Sequence, residues 1–202
     1  MIYGSQYADR SINIYHGVLY SDIFFCYDPE NPSQHIIDMS ENEIEVPEDY
    51  TREELRQDLL CYTSPVLKED LVLTGDMTAE LYISSDAPDT DFVVRVTDVD
   101  ENGRSIKLAD GLLSARYRNG FARAEFLQEG EIVCLKIRTT KLSNCFRKGH
   151  RIRVTVTSSA KNFIFPNSNT REGFASARTV VAHNRVYHGG LHASRLTVRV
   201  EP

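Results

Sequence analysis

Apolar and polar residues alternate with a period of two from about residue 70 onward, which is typical of β-strands buried on one face. The alternating runs are 77–84, 92–97, 113–118, 133–138, 151–156 and 195–200. Turn-forming residues such as Gly, Pro, Asp and Asn separate them, and no long helical pattern lies between them. The pattern therefore predicts an all-β fold in which two antiparallel sheets pack face to face, as in a jelly-roll β-sandwich.

The first 57 residues differ from the rest because they are polar, rich in tyrosine and only weakly periodic. Thr51 and Glu54 have the spacing of a capping box, which predicts one or two helical turns over residues 52–57. This segment is too short and too polar to bury a core of its own. We therefore predict a mostly irregular lead-in over residues 1–57 that wraps onto a sandwich domain over residues 58–202.

The composition of the chain disfavours nucleic-acid and membrane partners. The 23 Lys and Arg against 29 Asp and Glu give a net charge of −6, which disfavours a nucleic-acid partner. No apolar run approaches the ~20 residues of a membrane-spanning helix, and the first residues lack the pattern of a signal peptide. The four cysteines contain no C-x-x-C pair. We therefore expect no membrane partner, free thiols and a cytoplasmic location.

Residues 98–103 match the first half of an EF-hand calcium loop. The twelfth position of that loop requires a bidentate glutamate, and here it is Ala109. No helical pattern flanks the segment. The favoured interpretation is a β-hairpin in which Asn102 and Gly103 supply the positive φ angles of a tight turn.

Three histidines near the C-terminus form a candidate metal site. His188 and His192 have the i, i+4 spacing that places two imidazoles on one helix face. Gly189 and Gly190 lie between them and disfavour a helix. We therefore interpret His183, His188 and His192 as surface histidines in a loop before the last strand, and we expect no metal and no cofactor.

A nucleophilic site is the third candidate. The nucleophile elbow G-x-S-x-G does not occur in the chain. Cys145 and His150 could form a thiolate pair, but residues 147–149 between them are typical of a turn joining two strands. No residue is therefore assigned a catalytic role.

Arginines share the polar face in two of the predicted strands. Arg116 and Arg118 lie on one strand, and Arg151 and Arg153 lie on another. Such pairs can meet acidic partners across a sheet or at an interface. The favoured interpretation is a solvated face with ordinary cross-strand ion pairs.

An ordered series of motifs resembles one known family over about residues 15–202, and a series of this length is far more specific than one short motif. The motifs include residues 27–32, 58–65, 96–99, 102–104, 158–159 and 194–196. The positions that carry the family signature are Asp86, Asp89, Thr90, Asp91, Phe92, Gly111, Arg116, Arg118, Gly149, His150, Arg151 and Asn169. The family is the C-terminal, non-catalytic domain of X-Pro dipeptidyl-peptidases and cocaine-esterase-like acyl hydrolases.

The resemblance implies a galactose-binding-domain-like jelly roll, in agreement with the period of two. It also implies that the Ser-His-Asp triad belongs to an α/β-hydrolase domain earlier in a parent serine hydrolase, so that no catalytic residue transfers to this chain. The implied role is to pack on that absent partner, to shape its substrate entrance and to support a homo-oligomer. The alternative is a stand-alone carbohydrate-binding or oligomerisation module.

The Asp-Thr-Asp sequence within the signature has two interpretations. Asp89 and Asp91 flank Thr90 at the turn that precedes the strand beginning near Phe92. Carboxylates in such positions accept hydrogen bonds from backbone N–H groups and stabilise turns. We therefore interpret the signature as structural rather than as a substrate contact.

Overall fold

The computed structural model describes residues 9–13, 22–36 and 48–199, so most of the predicted lead-in lies outside the described residues. The described strands are β1 (Asp9–Asn13), β2 (Ile23–Tyr27), β3 (Leu60–Thr63), β4 (Leu71–Gly75), β5 (Thr78–Ser85), β6 (Asp91–Val99), β7 (Ser105–Ser114), β8 (Val133–Arg138), β9 (Leu142–Phe146), β10 (Arg151–Thr157), β11 (Ala182–Val186) and β12 (Arg195–Arg199). Short 3-10 turns cover Glu53–Leu55, Ala115–Tyr117 and Gly173–Ala175.

The strands pair antiparallel in two main sheets and one small one. In the first sheet β5 is central: β8 pairs with one edge, and β12 and β11 pair with successive halves of the other. Strand β1 then pairs with β12, and β2 pairs with β11. The second sheet has the order β3-β10-β6-β7, and β4 pairs with β9. Part of the predicted lead-in, strands β1 and β2, is therefore built into the first sheet.

The core lies between the two main sheets, where each contributes alternate side chains. The first sheet supplies Ala79, Leu81, Ile83, Leu135, Ile137, Val186, Leu196 and Val198. The second sheet supplies Leu60, Tyr62, Phe92, Val94, Val96, Ile152, Val154 and Val156. Apart from Leu60, Tyr62 and Val186, which lie outside the alternating runs, these residues fall on the apolar faces that the alternation predicts. The prediction of an all-β sandwich is confirmed.

Strand β6 departs from the prediction of one buried and one solvated face, because every residue in Asp91–Thr97 is buried. The chain segments that precede β3 cover its outer face. Tyr50 packs on the Arg95 guanidinium at 4.2 Å, and the buried Glu54 accepts a hydrogen bond from the Thr97 hydroxyl at 3.3 Å. A local pattern does not predict this cover, because its residues lie about 40 positions away in sequence.

The solvated-arginine interpretation is wrong for three of the four residues named. Strand β7 ends at Ser114, so Arg116 and Arg118 lie in and after a 3-10 turn rather than on a strand. Arg153 does lie on β10, but it donates a hydrogen bond to buried Glu54 at 2.5 Å. The chain turns here because it has reached the end of the sandwich, where Ala115 N donates to the backbone oxygen of Thr90.

Two further local predictions are partly correct. A 3-10 turn forms at Glu53–Leu55, but the capping box is wrong, because the Thr51 hydroxyl bonds to Asp49 and the N-cap is Arg52. The β6–β7 hairpin forms as predicted, but only Gly103 has a positive φ, of 83°.

No helix in the described ranges combines the length and apolar character that crossing a bilayer requires. The four cysteines, Cys26, Cys61, Cys134 and Cys145, are all unbridged. Burial, reinforced by nearby Glu54, raises the pKa of the Cys61 thiol to about 11. This thiol is therefore protonated at neutral pH and is a poor nucleophile.

Candidate functional site

Five polar residues of the signature region meet at one end of the sandwich, and we call them the Asp89 cluster: Asp89, Asp91, Arg116, Asn167 and Asn169. Asp89 lies in the β5–β6 turn, Asp91 begins β6, and Arg116 lies in the 3-10 turn after β7. The two asparagines come from the long connection between β10 and β11. All except Arg116 are buried, so their polar atoms must find partners inside the protein.

Asp89 is the centre of the cluster. One carboxylate oxygen accepts the backbone N–H of Arg116 at 2.9 Å, and the other accepts Arg116 Nε at 2.7 Å and Asn167 Nδ2 at 2.6 Å. The remaining guanidinium nitrogens donate to the backbone oxygens of Thr170 at 2.9 Å and Arg171 at 3.0 Å. This charge-assisted pair therefore ties the start of β6 and the end of β7 to the β10–β11 connection.

Asp91 shares a donor with Asp89, because Asn167 Nδ2 also lies 3.0 Å from Asp91 Oδ1. Burial raises the pKa of Asp91, although hydrogen bonds from Ser114 and Asn167 oppose the change. A raised pKa means that the folded state holds the proton more tightly than the unfolded chain. The resulting stabilisation is complete at low pH and is lost as the pH rises through the folded-state pKa.

Asn169 connects the cluster to the first sheet. Its Nδ2 donates to the backbone oxygen of Val180 at 2.6 Å and to that of Tyr27 at 3.4 Å. Its φ of 62° lies in the left-handed region, which asparagine tolerates better than most residues. The asparagine therefore fits both the backbone conformation and the two carbonyl partners.

The polar groups of the Asp89 cluster are largely paired with one another. Its carboxylates already accept bonds from Arg116 and Asn167, which leaves no open set of ligands for an ion. In the ranges that the structure describes, no group of three or more His, Cys, Asp or Glu side chains could hold a metal. These contacts are what a structural role of the Asp-Thr-Asp sequence requires, and that interpretation stays a prediction.

Other signature residues lie at the turn between β9 and β10. Gly149 has a φ of 92°, and His150 Nδ1 lies 2.9 Å from Asp98 Oδ1. Arg151 donates to the backbone oxygen of Ser64 at 3.1 Å. Cys145 lies within β9, so residues 147–149 form the turn that the sequence predicts. The bond to Asp98 links this turn to β6.

Three signature residues support the core and the loops. Phe92 is fully buried and meets Phe25 edge-on, with ring centroids 6.2 Å apart. The backbone oxygen of Thr90 accepts Ala115 N at 2.9 Å. Arg118 donates to the backbone oxygen of Ala115 at 3.1 Å. Each of them stabilises the chain where it leaves or enters the second sheet.

Gly111 lies on β7 where that strand passes close to β8. An ideal Cβ at this position would overlap the backbone oxygen of Arg138 and would lie 2.9 Å from its carbonyl carbon and 3.0 Å from Thr139 Cα. These are backbone atoms and cannot rotate away. Glycine is therefore required by the close approach of the two sheets at this edge.

The histidine prediction is partly wrong for two of its three residues, because the exposed His183 lies on a strand and His188, in the loop, is buried. His183 lies on β11, where its N–H and Nδ1 lie 2.8 and 2.6 Å from the two oxygens of Asp86. His188 is buried and its Nε2 lies 2.9 Å from the Tyr62 hydroxyl. In the described chain, no hydrogen bond joins a serine or cysteine side chain to His183, His188 or His150, so these contacts contain no nucleophile–base pair.

Sequence reasoning missed a second buried polar group, on the outer face of the second sheet. His35 stacks on Phe163 with ring centroids 4.5 Å apart, and its Nδ1 lies 3.5 Å from Asp110 Oδ2. Its Nε2 lies 3.4 Å from Lys107 Nζ. Burial and the positive charges of Lys107 and Arg95 lower the pKa of His35 to about 4, although Asp110 opposes them. The sequence feature that could have indicated this buried polar group is Arg95, a charged residue within an otherwise apolar stretch of β6.

This low pKa predicts a pH dependence of stability. The unfolded chain binds a proton at His35 near pH 6.5, whereas the folded chain binds it near 4. The stability due to neutral His35 is therefore fully present above pH 6.5 and is lost as the pH falls toward 4. We expect the drop in urea midpoint between pH 7 and pH 5 to be smaller in His35→Gln than in the parent chain. Equal drops in both proteins would contradict the assignment.

Comparison with known proteins places these features in a family. The model of the X-Pro dipeptidyl-peptidase C-terminal non-catalytic domain matches residues 9–197. Cocaine esterase from Rhodococcus sp. (strain MB1 Bresler) is 37% identical over 150 residues, covering 72% of this chain and 26% of the esterase. The chain therefore spans about a quarter of the length of this curated relative.

Solved structures show the same fold. An aminopeptidase from a marine sediment Thaumarchaeota archaeon superposes with a TM-score of 0.86 at 22% identity, covering 96% of this chain and 36% of the aminopeptidase. An α-amino acid ester hydrolase superposes with a TM-score of 0.80 at 21% identity. The match covers 92% of this chain and 33% of the hydrolase. With the family match over residues 9–197, the chain belongs to the X-Pro dipeptidyl-peptidase C-terminal non-catalytic domain family.

Proposed function

We propose that this chain is the C-terminal β-sandwich domain of a serine hydrolase, and that it packs on an α/β-hydrolase catalytic domain and shapes its substrate entrance. The observation that carries the proposal is the family match over residues 9–197 in a chain that corresponds to only 26% of its esterase relative. In the whole enzyme a serine is acylated, a histidine acts as general base, and water releases the acyl group. The substrate is a peptide, an ester or an amide.

The contacts of the polar signature residues support a non-catalytic role. Asp89 is occupied by Arg116 and Asn167, and Asp98 is occupied by His150. A catalytic carboxylate would instead orient a histidine beside a nucleophile. These residues stabilise loops at the two ends of the sandwich.

The purified chain is expected to show no turnover of chromogenic esters or of X-Pro anilides above a buffer blank. The matched positive control is full-length Rhodococcus cocaine esterase assayed on the same ester. Turnover that co-elutes with the chain through size-exclusion chromatography would contradict the proposal, because it would require a triad within these residues.

The remaining predictions belong to the same proposal. The four unbridged cysteines suit a reducing, cytoplasmic location. The galactose-binding-domain-like jelly roll, the division between residues 57 and 58, and self-association into a homo-oligomer also stay predictions. No nucleic-acid partner is proposed, because the net charge is −6.

A further inference from the structure

Three phenylalanines on the connection between β10 and β11 are exposed, and we call them the aromatic patch: Phe163, Phe165 and Phe174. Their exposed fractions are 54%, 77% and 73%. The rings of Phe165 and Phe174 stack with centroids 5.6 Å apart and planes inclined by 23°. Aromatic side chains clustered at a surface are typical of interaction sites, because they supply the largest apolar contact area per residue.

The aromatic patch is held in place from below. Phe163 stacks on the buried His35, and the N–H groups of Phe163 and Ile164 both donate to the backbone oxygen of Ala160 at 3.0 Å. Gly173, with a φ of 63°, lies against the Arg116 guanidinium immediately before Phe174. The Asp89 cluster thus anchors the turn that presents Phe174. A surface ordered before binding loses little conformational entropy on binding.

The chain segment that carries the aromatic patch has a net charge opposite to that of the chain as a whole. Residues 161–178 contain Lys161, Arg171 and Arg178 against Glu172, which gives 3 − 1 = +2, whereas the chain carries −6. A two-fold contact between identical copies would bring this positive segment against itself. The charge therefore favours a different partner with an acidic rim.

We propose that the aromatic patch is the surface on which the domain docks to the catalytic domain of its parent hydrolase. This inference rests on the proposed function and names the contact surface. The other three-quarters of the esterase relative supply a partner that is covalently linked, so a modest apolar contact suffices because the effective concentration is high. Burying the patch removes three exposed rings from water.

The test uses a chimera in which residues 9–197 replace the matching quarter of Rhodococcus cocaine esterase. Hydrogen exchange is compared between the chimera and the isolated chain, and turnover of a chromogenic ester reports folding of the chimera. We expect amides in residues 163–174 to exchange about tenfold more slowly in the chimera. The same comparison in trans, with the isolated chain and the esterase lacking its matching quarter, is made in parallel.

Two double variants test whether the aromatic side chains cause the added protection. Phe165→Ser with Phe174→Ser should remove the added protection and leave the melting temperature of the isolated chain unchanged. The matched control, Phe121→Ser with Phe24→Ser, changes rings that are 80% and 59% exposed elsewhere and should preserve the protection.

The outcomes separate the two proposals. Protection that appears elsewhere in the chain but not at residues 163–174 overturns the docking surface and leaves the proposed function standing. No added protection anywhere, in the chimera and in trans, overturns both. A concentration-dependent dimer of the isolated chain that the Phe165/Phe174 variant abolishes overturns the docking surface in favour of self-association.

Discussion

Replacing Gly111 with alanine is expected to lower the free energy of unfolding by about 3 kcal/mol, because the close approach of another backbone segment leaves no room for a methyl group. The added Cβ would overlap the Arg138 carbonyl, so β7 and β8 would have to separate. For a chain of this size the loss corresponds to about 6–12 °C in Tm. Urea unfolding monitored by circular dichroism measures it directly.

The matched control for this variant is Gly103→Ala. Gly103 has a φ of 83° and no atom within 4 Å of an added Cβ, so alanine there introduces backbone strain without a clash. Its expected cost is about 1 kcal/mol. A Gly111→Ala variant as stable as Gly103→Ala would show that the two strands can separate at little cost, contrary to the geometry.

Replacing Asp89 with asparagine is expected to cost about 4 kcal/mol, because it leaves the Arg116 guanidinium largely buried without its counter-charge. The bonds from Arg116 N, Arg116 Nε and Asn167 Nδ2 all end on this one carboxylate. An amide cannot accept all three, since one oxygen is replaced by a donor. The measurement is the same urea titration, combined with hydrogen exchange over residues 167–173.

Asp76→Asn is the control for charge removal alone. Asp76 pairs with Arg138 at the surface, where solvent screens the pair, and its loss should leave the urea midpoint unchanged. The exchange data carry a second expectation, namely that Asp89→Asn speeds exchange over residues 167–173 more than elsewhere. Uniform destabilisation without this local change would argue against the role of Asp89 as an anchor of the connection.

The strands that the sequence predicts correctly are those whose polar face remains partly solvated. In β8, and in β5 as far as Ile83, the buried residues are every second one, such as Leu81, Leu135 and Ile137. Alternation is then a direct record of which face meets the core. Strand β6 does not show this alternation of buried and solvated residues, because Tyr50 and Glu54, from outside the sheet, bury its other face.

The sequence identified residues of the candidate site but not the contacts between them. The signature residues Asp89, Arg116 and Asn169 could be named from the sequence, but their partners could not. Asp89 and Arg116 are 27 residues apart, and Asn169 reaches Tyr27 across 142 residues. Spacing within a strand carries no information about such pairs, because register and loop path set them.

The sequence by itself determined the all-β class, the alternating core faces and the family, because these are properties of neighbouring residues and of motif order. Only the tertiary structure decided that Asp89 neutralises Arg116, that Gly111 lies against Arg138, and that His35 is buried beside Lys107. Each of these depends on two distant segments arriving at one place. Burial and pairing are consequences of that meeting, and the chain does not encode them position by position.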